Sequence, residues 1–221
     1  MERAIQLQVG ERVGEVEGLL QAPAGPALLY VFAHGAGAGM RHPFMAQLAT
    51  QLQELGAATL RYQFPYMQAG RGRPDVPAVL EATVRAAILK GHELLPGVPL
   101  LAGGKSMGGR ITSQLLAKEP DLPVKGIAFV GFPLHQPNKP GRARAAHLFD
   151  VAQPMLFVQG TRDALADLSL MKEVTAELGS TALLHVIEGA DHSFGVPKKS
   201  GRSAADVQQE IARAIIEFGL R

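Results

Sequence analysis

Apolar residues along this chain alternate between two periods. Short runs such as "ALLYVFA" (27–33), "VPLLAGG" (98–104), "PMLFVQG" (154–160) and "LLHVIEG" (183–189) are apolar over most of their length. Such runs suit strands buried on both faces. Between them lie longer stretches with apolar residues at three- and four-residue steps. Ala204, Val207, Ile211, Ala214, Ile215 and Phe218 form one such stripe, the signature of a helix packed on a sheet. The pattern predicts strands near 3–9, 13–20, 27–33, 57–63, 98–104, 125–131, 154–160 and 182–188. It predicts helices near 43–55, 76–94, 107–118, 165–178 and 203–219. The first two strands are joined by "VGER" (9–12), a short glycine-containing turn that suits an antiparallel hairpin. Segment 132–149, "FPLHQPNKPGRARAAHLF", is rich in proline and basic residues and reads as a loop with at most one short helix. Alternating strands and helices give an α/β fold, a mostly parallel sheet covered on both faces.

No repeat and no long polar linker interrupts this alternation, so the 221 residues read as a single domain. Their 47% hydrophobic content suffices for a sizeable core. The absence of cysteine excludes disulfides, thiolate metal sites and a thiol nucleophile. No stretch approaches the ~18 apolar residues of a spanning helix, and the N-terminus lacks an apolar signal region. A soluble cytoplasmic protein without a membrane role is expected, a monomer or homodimer. A net charge of +2 is too small to imply nucleic acid.

In an open parallel sheet the binding crevice lies beyond the carboxyl ends of the strands. Four predicted strand ends carry reactive residues. They lead into His34-Gly35-Ala36-Gly37-Ala38-Gly39, into Ser106, into Thr161-Arg162-Asp163, and into Ala190-Asp191-His192. Gly104-Lys105-Ser106 looks at first like the end of a phosphate-binding P-loop, but the glycine required five positions earlier is Pro99, which has no N–H to offer a phosphate. The loop at 35–39 likewise fails as a dinucleotide fingerprint, because the third glycine would fall on Met40 or His42. No cofactor is expected.

Gly104-x-Ser106-x-Gly108 instead has the spacing of a strand–turn–helix elbow that exposes a nucleophile. A serine hydroxyl needs an imidazole to accept its proton, and the imidazole needs a carboxylate on its other nitrogen. Ser106, His192 and Asp163 can fill those roles, with Asp167 or Asp150 as substitute acids; Asp191 reads as a turn-former. The amides of Met107 and Ala36 are the candidate oxyanion donors. His34 is expected to shape the oxyanion loop and to approach the substrate, and His135 to contact substrate from the crevice rim. Lys105 is expected to diverge from Ser106 and to act as a salt-bridge or helix-dipole neighbour. Arg61, Arg71, Arg73, Arg110, Arg142, Arg144 and Arg162 suggest a positive rim that would favour anionic esters. "FPYMQAG" (64–70) offers aromatic area without a stacking array, which speaks against single-stranded nucleic acid.

The stretches "FAHGAGAG", "GGKSMGGR", "GTRDAL" and "GADHSF", in that order, resemble the α/β-hydrolase fold. They are most similar to its small dienelactone-hydrolase-like branch, which includes relatives of a subunit of the human NSL chromatin complex. "RYQFPYMQAGRGRPD" and "GFPLHQP" share that similarity. The resemblance implies a three-layer sandwich around an eight-stranded sheet whose second strand is antiparallel, with Ser106, Asp163 and His192 as triad. Dienelactone hydrolases use a cysteine nucleophile, so their substrate is not carried over. The expected activity is hydrolysis of a small ester or thioester through an acyl-enzyme. The same triad could instead transfer the acyl group to another acceptor, and the fold could serve as a non-catalytic interaction module. With only 64–75 and 132–149 as candidate walls, little or no lid and a shallow pocket for small acyl groups are expected.

Overall fold

A computed structural model describes residues 2–221. Eight strands form one sheet: β1 (Glu2–Gly10), β2 (Gly14–Gln21), β3 (Leu28–Ala33), β4 (Ala57–Tyr62), β5 (Leu100–Lys105), β6 (Gly126–Val130), β7 (Met155–Gly160) and β8 (Ala182–Ile187). Their spatial order is β1-β2-β4-β3-β5-β6-β7-β8. β2 pairs antiparallel with both β1 and β4, and every other pairing is parallel. All eight predicted strands are present, with the hairpin at "VGER" and the antiparallel second strand.

Burial follows position in the sheet. β3, β5, β6 and β7 occupy the centre and are almost wholly buried, whereas β1 alternates along its length and β8 is half-buried at the far edge. The central runs are apolar because helices cover both of their faces. α1 (Pro43–Glu54) and α6 (Ala204–Gly219) pack on one face. α3 (Pro77–Leu94), α4 (Met107–Leu116) and α5 (Leu168–Leu178) pack on the other. Each buried Leu, Ile, Val or Phe contributes roughly 1.5–3 kcal/mol of transfer free energy.

Local chemistry sets where the helices begin. His42 caps α1 by accepting from the Phe44 amide, with Pro43 in the first turn. Ser203 and Asp206 form a reciprocal capping box on α6. α5 starts at Leu168 rather than 165, because the Asp167 carboxylate accepts from the amides of Ser169 and Leu170 and so terminates the preceding turn. The pattern gave no sign of α2, a four-residue helix over Pro65–Gln68. The 132–149 segment contains a 3₁₀ stretch, Ala143–Asp150.

Among the described residues no helix is long and apolar enough to cross a membrane. No group of three or more His, Cys, Asp or Glu among them converges as a metal site.

Candidate active site

Ser106 sits between β5 and α4 with φ 51° and ψ −115°, left-handed backbone for a residue with a side chain. That conformation costs on the order of 1–3 kcal/mol and is held by its surroundings. The Ser106 amide donates to the Val130 carbonyl and its own carbonyl accepts from Arg110 in α4. Close backbone approach makes the turn possible: a Cβ on Gly104 would lie 2.4 Å from the Ala33 carbonyl oxygen, and one on Gly108 would lie 2.6 Å from that of His34. Neither position admits a side chain, so the Gly-x-Ser-x-Gly spacing is fixed by contact with β3.

His192 comes from the loop after β8. Its Nε2 lies 2.9 Å from Ser106 Oγ and its Nδ1 lies 2.8 Å from Asp163 Oδ2. The Asp163 side chain is 1% exposed. Its Oδ2 also accepts from Gln159 Nε2 at 2.5 Å, and its Oδ1 accepts from the Leu165 amide. With both carboxylate oxygens engaged, Asp163 has one place left to point, and the imidazole occupies it. The other acids are employed elsewhere: Asp167 caps α5, Asp150 ends the 3₁₀ stretch, and Asp191 accepts from the amides of Ser193 and Gly195 within its own turn.

Ala36 and Met107 carry the two predicted oxyanion donors. Among the described residues neither amide donates to a protein acceptor. Met107 is the first residue of α4, where a helix leaves its N–H unbonded and its dipole positive. The loop bearing Ala36 is tied down from the segment after β4. Tyr66 donates its hydroxyl to the Ala36 carbonyl, and Gln63 Oε1 accepts from the Met40 amide.

His34 belongs to this scaffolding and does not reach the substrate side. It is fully buried, its Nε2 accepts from the Phe64 amide, and its Nδ1 faces the Gly35 carbonyl at 2.7 Å. Burial pushes its pKa down to about 4, so the ring stays neutral and both nitrogens are used. His135 is likewise removed from the crevice. Its Nε2 accepts from the Asp167 amide and its Nδ1 faces the Gln136 carbonyl, which anchors its loop to the start of α5. Both imidazoles are engaged by backbone groups, so neither His34 nor His135 holds a ring nitrogen free toward the hollows beside Ser106.

Of the seven arginines expected at the positive rim, three are paired with carboxylates, while the Arg162 side chain donates only to the Gly189 carbonyl. Arg61 is buried within β4, where it meets the Glu2 carboxylate, Gln21 Oε1 and the Met40 carbonyl. Arg71 pairs with Asp75, and Arg142 with Glu173 and Glu177. Arg144 donates to the carbonyls of Pro133 and His135. Arg110, one helical turn beyond Ser106, has burial and the neighbouring Arg144 acting on it and no acid partner among the described residues.

Two hollows flank the elbow. One, about 340 Å³, is lined by 35–38, His42, Phe44, Met45, Lys105, Ser106, His192 and Ser193. The other, about 510 Å³, is bordered by Met107 and Arg110 and by Pro74, Asp75, His147 and Asp150. The segments expected to wall the site therefore wall the second hollow, and the oxyanion loop with the start of α1 walls the first. Lys105 contributes to the lining of the first hollow, and its Nζ finds no carboxylate partner but donates to the His192 carbonyl at 2.6 Å. Sequence reasoning missed the contributions of Lys105, Tyr66 and Gln63, which depend on contacts across 23 or more residues of chain, and that of Gln159, whose partner Asp163 lies only four residues on.

Known structures share this architecture. A serine hydrolase without lid from Xanthomonas campestris has a TM-score of 0.77 at 18% identity, with 100% of this chain and 96% of that one aligned. A dienelactone hydrolase from Anabaena variabilis has a TM-score of 0.73 at 22% identity, covering 98% and 97%. The esterase domain of a Rhodothermus marinus protein has a TM-score of 0.73 at 16% identity, covering 100% and 98%. The alpha/beta hydrolase domain family matches residues 26–219. With that match spanning the sheet from β3 onward and every segment that builds the elbow and its hollows, the chain belongs to the alpha/beta hydrolase family.

Proposed function

We propose that the protein is a serine hydrolase acting on a small ester or thioester. The observation that carries this reading is the unbroken chain from Ser106 Oγ through His192 to buried Asp163, with Ser106 on a strained elbow. In the reactive tautomer the Nδ1–H of His192 donates to Asp163, which leaves Nε2 to accept the serine proton. Ser106 Oγ then bonds to the acyl carbon, and the carbonyl oxygen, now negative, takes hydrogen bonds from the Met107 and Ala36 amides. Collapse of this intermediate breaks the bond to the leaving group, which receives the proton from Nε2. Water repeats the sequence on the acyl-enzyme and releases the acid.

The first hollow, with Phe44, Met45 and the alanines of the oxyanion loop, fits a short apolar acyl group. Arg110, lacking an acid of its own and bordering the second hollow, favours a leaving group bearing a carboxylate or phosphate. A series of p-nitrophenyl and thioester substrates of increasing acyl length tests this. Turnover should peak at short chains, fall with longer ones and vanish in Ser106→Ala. A maximum at long chains would contradict the small-acyl assignment.

A further inference from the structure

The mechanism above gives no task to the ammonium nearest the nucleophile. Lys105 is the last residue of β5 and directly precedes Ser106, yet its side chain crosses to the loop after β8 and donates to the main-chain carbonyl of His192. The same ammonium lies 5.3 Å from the centroid of the Phe194 ring, within cation–π range. Gly131, just past β6, makes room for it: a Cβ there would stand 3.2 Å from Lys105 Nζ and 3.7 Å from His192 Cε1.

The loop it grips is tethered from outside at its start, where the Arg162 amide donates to the Ala190 carbonyl, and at its end, where the Phe194 ring stacks on Phe44; Lys105 holds the residue between, His192, from β5. Residues 191–195 are closed on themselves, with Asp191 accepting from the Ser193 and Gly195 amides and Phe194 donating back to the Asp191 carbonyl. Phe194 holds a left-handed φ of 64° inside this turn. These bonds shape the loop without fixing its distance from β5. Lys105 spans that gap.

We propose that Lys105 is a positioning residue for His192: by gripping the His192 carbonyl and the Phe194 ring from the residue next to the nucleophile, it sets the imidazole at bonding distance from Ser106. This rests on the assignment of His192 as general base. Carbonyl and imidazole belong to one residue, so a shift of the loop moves Nε2 off Ser106 Oγ directly. A displacement near 1 Å costs on the order of 100-fold in rate.

The clamp is also sensitive to pH. Asp163 and Asp191 favour the ammonium, but burial outweighs them and pushes the Lys105 pKa down to about 8. The His192 imidazole beside it and His42 across the hollow are the other titratable groups facing it. Above pH 8 the charge is lost, and with it the charge-assisted bond and the attraction to Phe194.

The test is the rate of fluorophosphonate labelling from pH 6 to 9.5 in wild type, Lys105→Met and Lys105→Arg, with thermal melts of each. The one-proton NMR signal of the His192 Nδ1–H should be followed in parallel. Lys105→Met should label roughly 10- to 100-fold more slowly, with a folded melt and a weakened Nδ1–H signal. Wild type should lose rate above pH 8, and Lys105→Arg should recover most of the rate and keep it past that pH. Labelling of Lys105→Met at the wild-type rate, with an unchanged pH profile, would overturn the clamp and leave the hydrolase reading intact. If Lys105→Met does not fold, the wild-type profile decides: a fall near pH 8 supports the clamp and a flat profile overturns it. A wild type that never labels removes the base assignment and the clamp with it.

Discussion

Tyr66 donates its hydroxyl to the carbonyl oxygen of Ala36 at 2.8 Å, although 30 residues separate them. The bond fixes the plane of the peptide that follows, and so the loop whose amide is the candidate second oxyanion donor. Burial and the nearby Asp75 push the phenol up to about 12, so it remains a donor at every working pH. Removing this hydroxyl while keeping the ring should loosen the loop without opening a cavity. Tyr66→Phe is expected to lower kcat about 10-fold with KM nearly unchanged, the pattern of an interaction felt in the transition state. Steady-state kinetics on a short acyl ester reads it.

Asp163 has a different signature. In Asp163→Asn the amide can present an N–H to Nδ1, which favours the tautomer in which Nε2 no longer accepts from Ser106. Activity should fall by roughly 10³- to 10⁴-fold. Because the Leu165 amide keeps its oxygen and Gln159 can turn its amide so that its unpartnered Oε1 accepts from the new Nδ2–H, the melting temperature should change by only a few degrees. Labelling kinetics beside differential scanning calorimetry separates the two effects.

The elbow predicts a contrast between glycines. Gly108→Ala would place a Cβ 2.6 Å from the His34 carbonyl oxygen and 2.7 Å from Ala33, where only backbone and a short side chain stand and nothing flexible can yield. Its cost should reach or exceed the ~3 kcal/mol upper end of ordinary overpacking. Gly72→Ala meets nothing within 4 Å and should stay within about 0.5 kcal/mol of wild type. Urea denaturation of the two variants measures the difference.

Acid stability follows from His34. Its pKa falls from 6.5 to about 4 on folding because burial opposes the charged ring. Between those values the unfolded chain binds a proton that the folded chain does not. Stability is therefore unaffected above pH 6.5 and falls as pH drops toward 4, by about 3 kcal/mol from this residue. His147, pushed to the same value by burial and by Arg110, acts in the same direction. Urea midpoints at pH 7 and 4.5 should show the loss, and His34→Asn should reduce its pH dependence.

The strands and the order Ser106, Asp163, His192 were legible because both are written locally. A buried parallel strand is a short apolar run, and the crevice of such a sheet lies at the strand ends, so reactive residues placed there stand out. Helix α2 was not legible, since four residues do not complete a period. The histidines were ambiguous for a physical reason: an imidazole can serve chemistry or satisfy buried backbone groups, and only the positions of Phe64 and Asp167 show the backbone groups that His34 and His135 satisfy. Arg61 was ambiguous in the same way, because its partner Glu2 lies 59 residues away in sequence. Lys105 combined both difficulties. Strand alternation turned it away from Ser106, and its acceptor lies 87 residues on.

Everything proposed for this site requires Ser106 to be an activated nucleophile. Intact-mass and peptide mapping after fluorophosphonate treatment tests it most directly, with wild type, Ser106→Ala and His192→Ala in parallel. Wild type should take one adduct, mapped to Ser106, absent in Ser106→Ala and nearly absent in His192→Ala. A folded wild type that takes no adduct, or an adduct at Ser106 that persists in His192→Ala, would contradict it.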